Sequence, residues 1–222
     1  MTSHKGCNKS DGKGVTDMKR SEVTKQKIFE AAEKAFSEKG LYGARVDEIS
    51  ELAGANKRMI YAYYGSKEKL YIAVLDAVYA RMADSEKELL EQDVDCEEMI
   101  RRIIRHYFSF LYENPSFVKI VMWENLNEAK YLQQSHARFI KETAFELMRK
   151  NLEYGVANGI FRSDLDTEEM ILSINMFCFS YFSNLYTMTQ IMQTDFGVRT
   201  EMDKRCEHVT EIILRYLKKE EK

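Results

Sequence analysis

The stretch Val46–Lys67, VDEISELAGANKRMIYAYYGSK, decides how the N-terminal part of this 222-residue chain folds. It contains two short runs with helical spacing, the first ending at Ala53-Gly54 and the second at Gly65. Glycine adopts left-handed backbone conformations at little steric cost, so each glycine indicates a helix end. Asn56 suits the start of the second run, because its side chain can accept a hydrogen bond from a free backbone N–H. The stretch therefore predicts two short helices joined by a tight turn.

A further helix is expected immediately upstream of this pair. From about Val23, apolar residues recur at steps of three and four positions, which places them on one helix face. Gly40 is expected to end this helix. Three short helices with glycine-bearing turns are the layout of a helix-turn-helix domain. The side chains expected to face its core are Ile28, Ala31, Ala32, Ala35, Phe36, Val46, Ile49, Leu52, Ala53, Ile60 and Tyr64.

The rest of the chain also has the pattern of helices. No glycine occurs between Gly65 and Gly155, and the single proline, Pro115, predicts one break at Asn114. Ser66 is the expected cap of the helix that follows Gly65. Alternating strand patterns and hairpin turns are lacking, so the predicted fold class is all-α. These helices are expected near 67–90, 97–113, 116–127, 130–157, 167–192 and 200–219.

Charge divides the chain into a basic end and an acidic body. The whole chain has a net charge of −3, yet residues 1–70 carry +4 and residues 71–222 carry −7. This asymmetry favours a polyanion as the partner of the basic end, although chance unevenness gives the same totals. Residues 1–20 combine glycines with charges and few large apolar groups, which predicts a flexible arm, either inert or touching DNA phosphates.

Composition and motifs exclude several classes of protein. The four cysteines, Cys7, Cys96, Cys178 and Cys206, lie far apart, so neither a zinc site nor a disulfide framework is expected. Neither a secretory signal nor an apolar run of transmembrane length is visible, which predicts a cytoplasmic protein without a membrane partner. The motifs of common hydrolases, nucleotide-binding enzymes and metalloproteases are missing, so no enzyme, cofactor or metal is expected.

The helix after Asn56 is expected to present its N-terminal side chains to the major groove of DNA. Lys57 and Arg58 supply hydrogen-bond donors. Arg58 is suited to guanine O6 and N7, and the alternatives are a phosphate contact or a solvated side chain. Tyr61 and Tyr63 offer flat faces and hydroxyl groups that suit thymine methyl groups, sugars and phosphates.

Residues 22–70 resemble the DNA-binding domain of the TetR family of transcriptional regulators. The motifs that carry the resemblance are Ile28-Phe29-Glu30-Ala31-Ala32, Ala35-Phe36, Gly40, Val46 to Ile49, Ala53-Gly54, Ile60-Tyr61 through Tyr64, Ser66-Lys67-Glu68 and Leu70. The resemblance implies that Tyr61 and Lys67 contact backbone phosphates and that Tyr64 packs in the core. The chain departs from the family pattern at Ala44-Arg45, where threonine or serine is usual. Arg45 is therefore expected to replace a phosphate contact by its charge, without capping the next helix.

The predicted DNA-binding residues are Arg45, Lys57, Arg58, Met59, Tyr61, Ala62, Tyr63 and Lys67. A weaker resemblance continues into the body, at Asn114-Pro115, Met122-Trp123-Glu124 and the turn from Gly155 to Asp164. It implies a helical C-terminal domain that binds a small-molecule effector and forms a homodimer through its last two long helices, about 167–192 and 200–219.

The segment from Met170 to Met192 is apolar nearly all round. This pattern predicts burial on several sides, either against a partner subunit or within a monomeric core. Methionine and aromatic side chains suit an irregular apolar pocket, although each one taken singly is more often an ordinary core residue. The candidate effector-binding residues are Tyr107, Phe110, Met122, Trp123, Met176, Phe177 and Tyr181. His106, Glu124 and His136 are candidate polar anchors.

Together these patterns predict an arm over 1–20, a DNA-binding domain over 21–81 with its helix-turn-helix at about 45–64, and an effector-binding and dimerisation domain over 82–222. The expected function is ligand-responsive transcriptional regulation. A homodimeric repressor would leave a pseudo-palindromic operator in double-stranded DNA when a largely apolar effector binds. The alternatives are an all-α small-molecule-binding protein or enzyme without DNA binding, and a redox sensor that uses Cys96 or Cys178.

Overall fold

Helices form the regular elements of the residues that the computed structural model describes, 11–90 and 93–218, with side chains undescribed at 11–20, 88 and 90. The α-helices are α1 (Asp11–Gly43), α2 (Val46–Leu52), α3 (Lys57–Tyr64), α4 (Lys67–Leu90), α5 (Cys96–Glu113), α6 (Pro115–Leu126), α7 (Ala137–Ala157), α8 (Thr167–Ser183), α9 (Leu185–Met192) and α10 (Arg199–Leu217). A short 3₁₀ turn, Leu132–Gln134, precedes α7. The described ranges contain no strand, which confirms the all-α fold class.

The chain forms two compact units that divide between Val74 and Leu75. The division falls within α4, so this one helix belongs to both units. The domain boundaries expected after residues 20 and 81 stay predictions. None of the described helices has both the length and the hydropathy that crossing a membrane requires.

The first unit has a core built from α1, α2, α3 and the start of α4. Phe36, Ile49 and Ile60 are completely buried. The ring of Phe36 meets that of Tyr71 edge-on, with 5.1 Å between the ring centroids. Gly40 has φ 65° and ψ 178°, so it interrupts α1 where the sequence predicts a helix end. The predicted three-helix arrangement is therefore present.

Two expectations about the helix-turn-helix core need revision. Leu52 was expected to face the core, but 51% of it is exposed. Ile49 and Ala53, one turn apart, already occupy the buried face of the short helix α2. Tyr64 is half-buried rather than fully enclosed. Its hydroxyl donates to the carbonyl oxygen of Lys25 at 3.4 Å, and burial raises the pKa of the phenol.

α1 starts earlier than the sequence predicts. It begins at Asp11, whereas the apolar pattern predicts a start near Val23. Residues 11–20, expected to lie in a flexible arm, are helical because extending an existing helix costs far less than nucleating a new one. Residues 1–10 of the expected arm lie outside the described residues.

Two long helices predicted in the second unit are interrupted. The helix expected over 130–157 begins only at Ala137. Glu128 and Ala129 adopt positive φ angles, 57° and 55°, which break the helical path before it. The helix expected over 167–192 divides at Asn184, whose side-chain amide donates to the carbonyl oxygen of Ser180 at 3.0 Å. Such local bonding of an asparagine side chain competes with the helical hydrogen bonds.

The second unit is organised around α5, which packs against α6, α7, α8 and α10. One face of α5 carries large buried side chains, including Ile103, Ile104, Tyr107 and Phe108. The ring of Phe108 lies 5.8 Å, centroid to centroid, from that of Phe182 on α8. Side chains of α5, α7 and α8 together line a cavity in this unit.

Gly155 of α7 lies directly against the ring of Phe161. A Cβ atom at Gly155 would come within 2.2 Å of Cδ2 of Phe161, whose side chain is buried. The N–H groups of Ile160 and Phe161 both donate to the carbonyl oxygen of Gly155, at 2.9 and 3.0 Å. This close approach is what allows the chain to reverse direction after α7.

We expect Gly155→Ala to lower the free energy of unfolding by about 1–3 kcal/mol, because the added methyl group must displace the Phe161 ring. Urea denaturation followed by circular dichroism measures the change. The double variant Gly155→Ala/Phe161→Leu, compared with Phe161→Leu alone, should show a smaller loss. An unchanged midpoint for Gly155→Ala would contradict the assigned packing.

Candidate DNA-binding surface and ligand cavity

α3 presents a mainly exposed edge from the first unit. Lys57, Arg58, Tyr61 and Ala62 are exposed, whereas Met59 and Tyr63 are half-buried. The buried face of α3 is anchored by Ile60. The side-chain oxygen of Asn56 accepts a hydrogen bond from the backbone N–H of Arg58 at 2.9 Å, so the predicted N-cap is present.

Lys57 is held by an ion pair with α2. Its Nζ lies 2.7 Å from Oδ1 of Asp47. The hydrogen bond to Asp47 raises the pKa of Lys57, so the amine is charged at neutral pH. Asp47 thereby orients a cation at the start of α3.

Lys67, at the start of α4, reaches back to the turn before α2. Its Nζ donates to the carbonyl oxygen of Ala44 at 3.1 Å. Arg45 is exposed and makes no side-chain cap to α2, which agrees with the expectation for this departure from the family pattern. Lys67 and Arg45 therefore place two cations beside the same turn.

Tyr63 contacts α1 in this structure. Its hydroxyl and that of Ser21 are 3.0 Å apart and share a hydrogen bond. Tyr61 is 44% exposed. The assignment of Arg45, Lys57, Arg58, Met59, Tyr61, Ala62, Tyr63 and Lys67 to DNA binding stays a prediction.

The second unit contains a cavity of about 650 Å³, a size typical of small-molecule sites. Side chains of α4, α5, α6, α7 and α8 form it. Its apolar walls are Tyr79, Met82, Tyr107, Leu111, Phe117, Leu132, Ala137, Phe145, Ile171, Leu172, Met176, Cys178 and Phe179. Its polar lining consists of Arg138, Lys141, Glu142, Arg149, Glu168 and Asn175. The cavity therefore suits a mainly apolar molecule with some polar function.

A buried ion pair lies at the wall of this cavity. Lys141 of α7 and Glu86 of α4 are 7% and 2% exposed, and both carboxylate oxygens of Glu86 accept hydrogen bonds from Nζ of Lys141. The ammonium also lies 5.5 Å from the ring centroid of Tyr107 and 5.1 Å from that of Phe145. Burial lowers the pKa of Lys141, while the Glu86 carboxylate acts in the opposite direction.

Two tyrosines of the cavity remain protonated at neutral pH. Burial raises the pKa of Tyr79 to about 12, with a further contribution from the charge of Glu124. Burial, the charge of Glu86 and a hydrogen-bonding contact with that carboxylate also raise the pKa of Tyr107. Both phenols are therefore available as hydrogen-bond donors.

The seven candidate effector-binding residues do not form one group. Tyr107 and Met176 line the cavity. Tyr181 lines a separate cavity of about 540 Å³ beside α9 and α10, and its hydroxyl donates to the carbonyl oxygen of Phe196 at 2.7 Å. The candidates that line neither cavity are Phe110, Met122, Trp123 and Phe177.

None of the three candidate polar anchors lines the cavity. His106 shares a hydrogen bond of 3.0 Å with Ser85, and burial lowers the pKa of its imidazole. Oε2 of Glu124 accepts hydrogen bonds from the backbone N–H groups of Tyr131 and Leu132, at 3.1 and 2.8 Å, and so shapes the turn before α7.

His136 is the third of these anchors and interacts with α4. Its backbone N–H donates to Oδ1 of Asp76 at 2.7 Å, and its Nδ1 lies 3.3 Å from Oδ2 of the same carboxylate. The start of α7 is thereby joined to α4.

Sequence reasoning missed the pair Lys141 and Glu86, although the sequence contains a signal for both. Lys141 occupies the buried register of α7, between Ala137 and Ala144. Glu86 follows Met82 by one turn on the buried face of α4. A charged residue in a core register indicates a buried partner of opposite charge, because an unpaired charge is costly to bury.

The cysteine alternative finds no support in the burial pattern. Cys96, Cys178 and Cys206 are all buried free thiols, and Cys7 lies outside the described residues. Burial raises the pKa of Cys178, as its apolar surroundings predict, and also that of Cys96. A protonated buried thiol is a poor redox sensor.

Both parts of the chain match models of one protein family. Residues 28–74 match the model for bacterial regulatory proteins of the tetR family. Residues 97–213, more than half of the chain, match the tetracyclin repressor-like C-terminal domain. The chain belongs to the TetR family of bacterial transcriptional regulators. The exposed α3 is accordingly part of a TetR helix-turn-helix, and the cavity lies in a TetR C-terminal domain.

The chain is 32% identical to the HTH-type transcriptional repressor NicS of Pseudomonas putida over 201 residues, covering 90% of this chain and 95% of NicS. The fold is similar to FadR of Bacillus subtilis, solved with stearoyl-CoA, with a TM-score of 0.69, 18% identity, and coverage of 86% and 98% of the two chains. It is also similar to KstR2 of Mycobacterium tuberculosis, a ketosteroid transcriptional regulator, with a TM-score of 0.66, 18% identity, and coverage of 87% and 94%.

We expect Lys141→Met to lower the free energy of unfolding by about 3–5 kcal/mol, because it leaves the Glu86 carboxylate buried without a cation. Thermal and urea denaturation measure the loss. Lys150→Met is the matched control, since Lys150 lies on the same helix and pairs with Glu146 at the surface. Equal stability of the two variants would contradict the buried pair, and Glu86→Gln/Lys141→Met should regain part of the loss.

Proposed function

We propose that this TetR-family protein is a homodimeric repressor that binds a pseudo-palindromic DNA site and leaves it when a small molecule occupies the cavity of the second unit. The observation that carries the proposal is the edge of α3, where exposed Lys57 and Arg58 are oriented by a capped helix start and by Asp47. NicS, which is named a repressor and matches this chain over 95% of its own length, supports this sign of regulation. We also propose a cytoplasmic location, which a DNA-bound role supports.

The DNA contacts are proposed to divide between base reading and backbone binding. Arg58 is exposed near the N-terminus of α3, from which a recognition helix reads base edges. Tyr61, Tyr63 and Lys67 are proposed to contact phosphates, together with Arg45 at the adjacent turn. Two such helices in a dimer would enter successive major grooves about 34 Å apart.

Substitutions at these two kinds of position should have different effects on DNA binding. Arg58→Ala is expected to cost about 1–3 kcal/mol on the preferred site and to relax base preference. Lys67→Ala should weaken binding to all sequences and reduce the slope of log affinity against log salt by about one. Fluorescence anisotropy with DNA from upstream of the protein's own gene measures both.

The control for this experiment is Lys150→Ala, which removes an exposed cation of α7. Unchanged affinity in both Arg58→Ala and Lys67→Ala would refute the assignment of the DNA-binding surface. The same substitutions leave the ligand cavity intact.

A dimer is supported by apolar side chains that a single chain leaves exposed on α8, α9 and α10. The exposed large apolar side chains of these helices are Leu172, Met176, Tyr186, Met188, Ile191, Met192, Ile212 and Tyr216. Exposed apolar patches of this kind indicate an interaction surface. A second copy packing there would bury the remaining faces of the segment from Met170 to Met192.

Ile191→Glu should convert the dimer to a monomer, because it places a charge within this apolar surface. Light scattering after gel filtration should give about 52 kDa for the parent protein, twice the chain mass of 26.1 kDa, and half that value for the variant. The matched control is Leu126→Glu, since Leu126 on α6 and Ile191 are both 74% exposed. A monomeric parent protein, or a dimeric Ile191→Glu, would contradict the proposal.

Release from DNA is proposed to follow from unequal ligand affinity for two conformations. α4 supplies Tyr79 and Met82 to the cavity wall, and the same helix begins at Lys67 in the DNA-binding unit. A ligand that favours one position of these wall residues would bias α4. Because the two effects are linked, operator DNA should weaken ligand binding by the same factor as ligand weakens DNA binding.

A further inference from the structure

Lys141, at the cavity wall, has a hydrogen-bond donor that its ion-pair partner does not use. Nζ of Lys141 has three protons and directs hydrogen bonds to both carboxylate oxygens of Glu86. Of these two partners, Lys141 lines the cavity and Glu86 does not. Lys141 is therefore the member of the pair that a molecule in the cavity can contact, and its third N–H is not used by Glu86.

The neighbouring hydroxyl of Tyr107 is fully buried and forms no well-aligned hydrogen bond among the described residues, although the Glu86 carboxylate lies near it. Tyr107 is 2% exposed and lines the same cavity. Buried polar atoms nearly always have a partner, and an orphan is costly because it has lost water without replacement. A hydroxyl left unsatisfied beside a cavity indicates that a bound molecule supplies the missing partner.

Lys141 and Tyr107 lie on two helices, α7 and α5, but belong to one polar corner. Nζ of Lys141 is 5.5 Å from the centroid of the Tyr107 ring. Both are protonated groups and can donate, so the group that suits this corner is an oxygen acceptor. The rest of the wall around them is apolar and aromatic, including Phe117, Phe145 and Ile171.

A ligand cation fits this corner poorly. The ammonium of Lys141 already lies over the rings of Tyr107 and Phe145, the faces that would otherwise attract a cation. Arg138 and Arg149 also line the cavity, and the carboxylate of Glu168 is engaged by Arg149. Glu142 is the remaining acidic lining residue, and it is exposed.

We propose that the cavity binds a mainly apolar molecule carrying one oxygen acceptor, of a carboxylate or a carbonyl group, which accepts hydrogen bonds from Lys141 and Tyr107. This inference rests on the proposed function, in which the cavity is the regulatory site. It adds the chemical class of the ligand and the two residues that select it.

Three probes with one apolar body test the class of end group. Isothermal titration calorimetry compares 4-phenylbutanoate, 4-phenylbutanamide and 4-phenylbutylamine on the full-length protein. We expect the carboxylate or the amide to bind about tenfold or more tightly than the amine, because only these two place an oxygen acceptor against the donors. The ratio of the dissociation constants of the carboxylate and the amide identifies which acceptor is preferred. Equal or tighter binding of the amine, or no binding of any probe, would overturn the proposal.

Tyr107→Phe tests the selecting role of the hydroxyl. It should weaken binding of the preferred oxygen-bearing probe about tenfold and leave the melting temperature unchanged or higher, because the atom removed makes no well-aligned internal hydrogen bond. Tyr154→Phe is the matched control, since Tyr154 is exposed and does not line the cavity. Unchanged affinity in Tyr107→Phe, or a clearly lower melting temperature, would count against the proposal.

Glu86→Gln tests the role of Lys141 in selecting the ligand, and here the expected change is a gain of affinity rather than a loss. It keeps the shape of the side chain but removes the negative charge that balances Lys141. Binding of 4-phenylbutanoate should therefore become several-fold tighter, while 4-phenylbutanamide changes little. A variant that binds the carboxylate no better than the parent protein would show that Lys141 does not face the ligand.

DNA anisotropy on the same samples separates this inference from the proposed function. A protein that binds upstream DNA but does not discriminate among the probes refutes the ligand class and leaves the DNA-binding role standing. Discrimination among the probes without any DNA binding supports the ligand site and refutes the repressor. Release of the DNA by the preferred probe, lost in Tyr107→Phe, supports both.

Discussion

The buried ion pair between Lys141 and Glu86 links α7 to α4 at the wall of the cavity in the second unit. Two opposite charges in a nearly dry interior are stable only while each has the other, so α7 and α4 must stay close enough to keep them together. The same pair brings a cation to the wall of an apolar cavity. A feature that binds two helices together therefore also determines what the cavity can recognise.

The helix-turn-helix could be predicted from the sequence because its signals are local. Gly40, Gly54 and Gly65 all have positive φ angles, and the cap at Asn56 forms as its residue type predicts. Each of these depends on a few neighbouring residues. The exposure of Leu52 could not be predicted in this way, since it depends on which face of a very short helix the rest of the unit covers.

The second unit was harder to predict because long-range contacts shape it. The turn before α7 forms where the carboxylate of Glu124 accepts hydrogen bonds from the backbone N–H groups of the residues seven and eight positions later. The sequence pattern through that stretch is nevertheless helical. The cavity lining depends on five helices meeting, so only Tyr107 and Met176 were among the candidates. Aromatic and methionine content indicates apolar lining residues but gives no signal for Lys141, which is recognisable only as a charge in a core register.

The pair of Lys57 and Asp47 has a consequence for how bases would be discriminated. The carboxylate of Asp47 holds the lysine amine 2.7 Å away before any DNA is present. The ammonium keeps two further N–H donors, so a base edge that reaches it can accept a hydrogen bond while the pair with Asp47 stays in place. Asp47 thus restricts the positions of the amine, so a base is favoured only if its acceptor lies where the paired lysine can reach it.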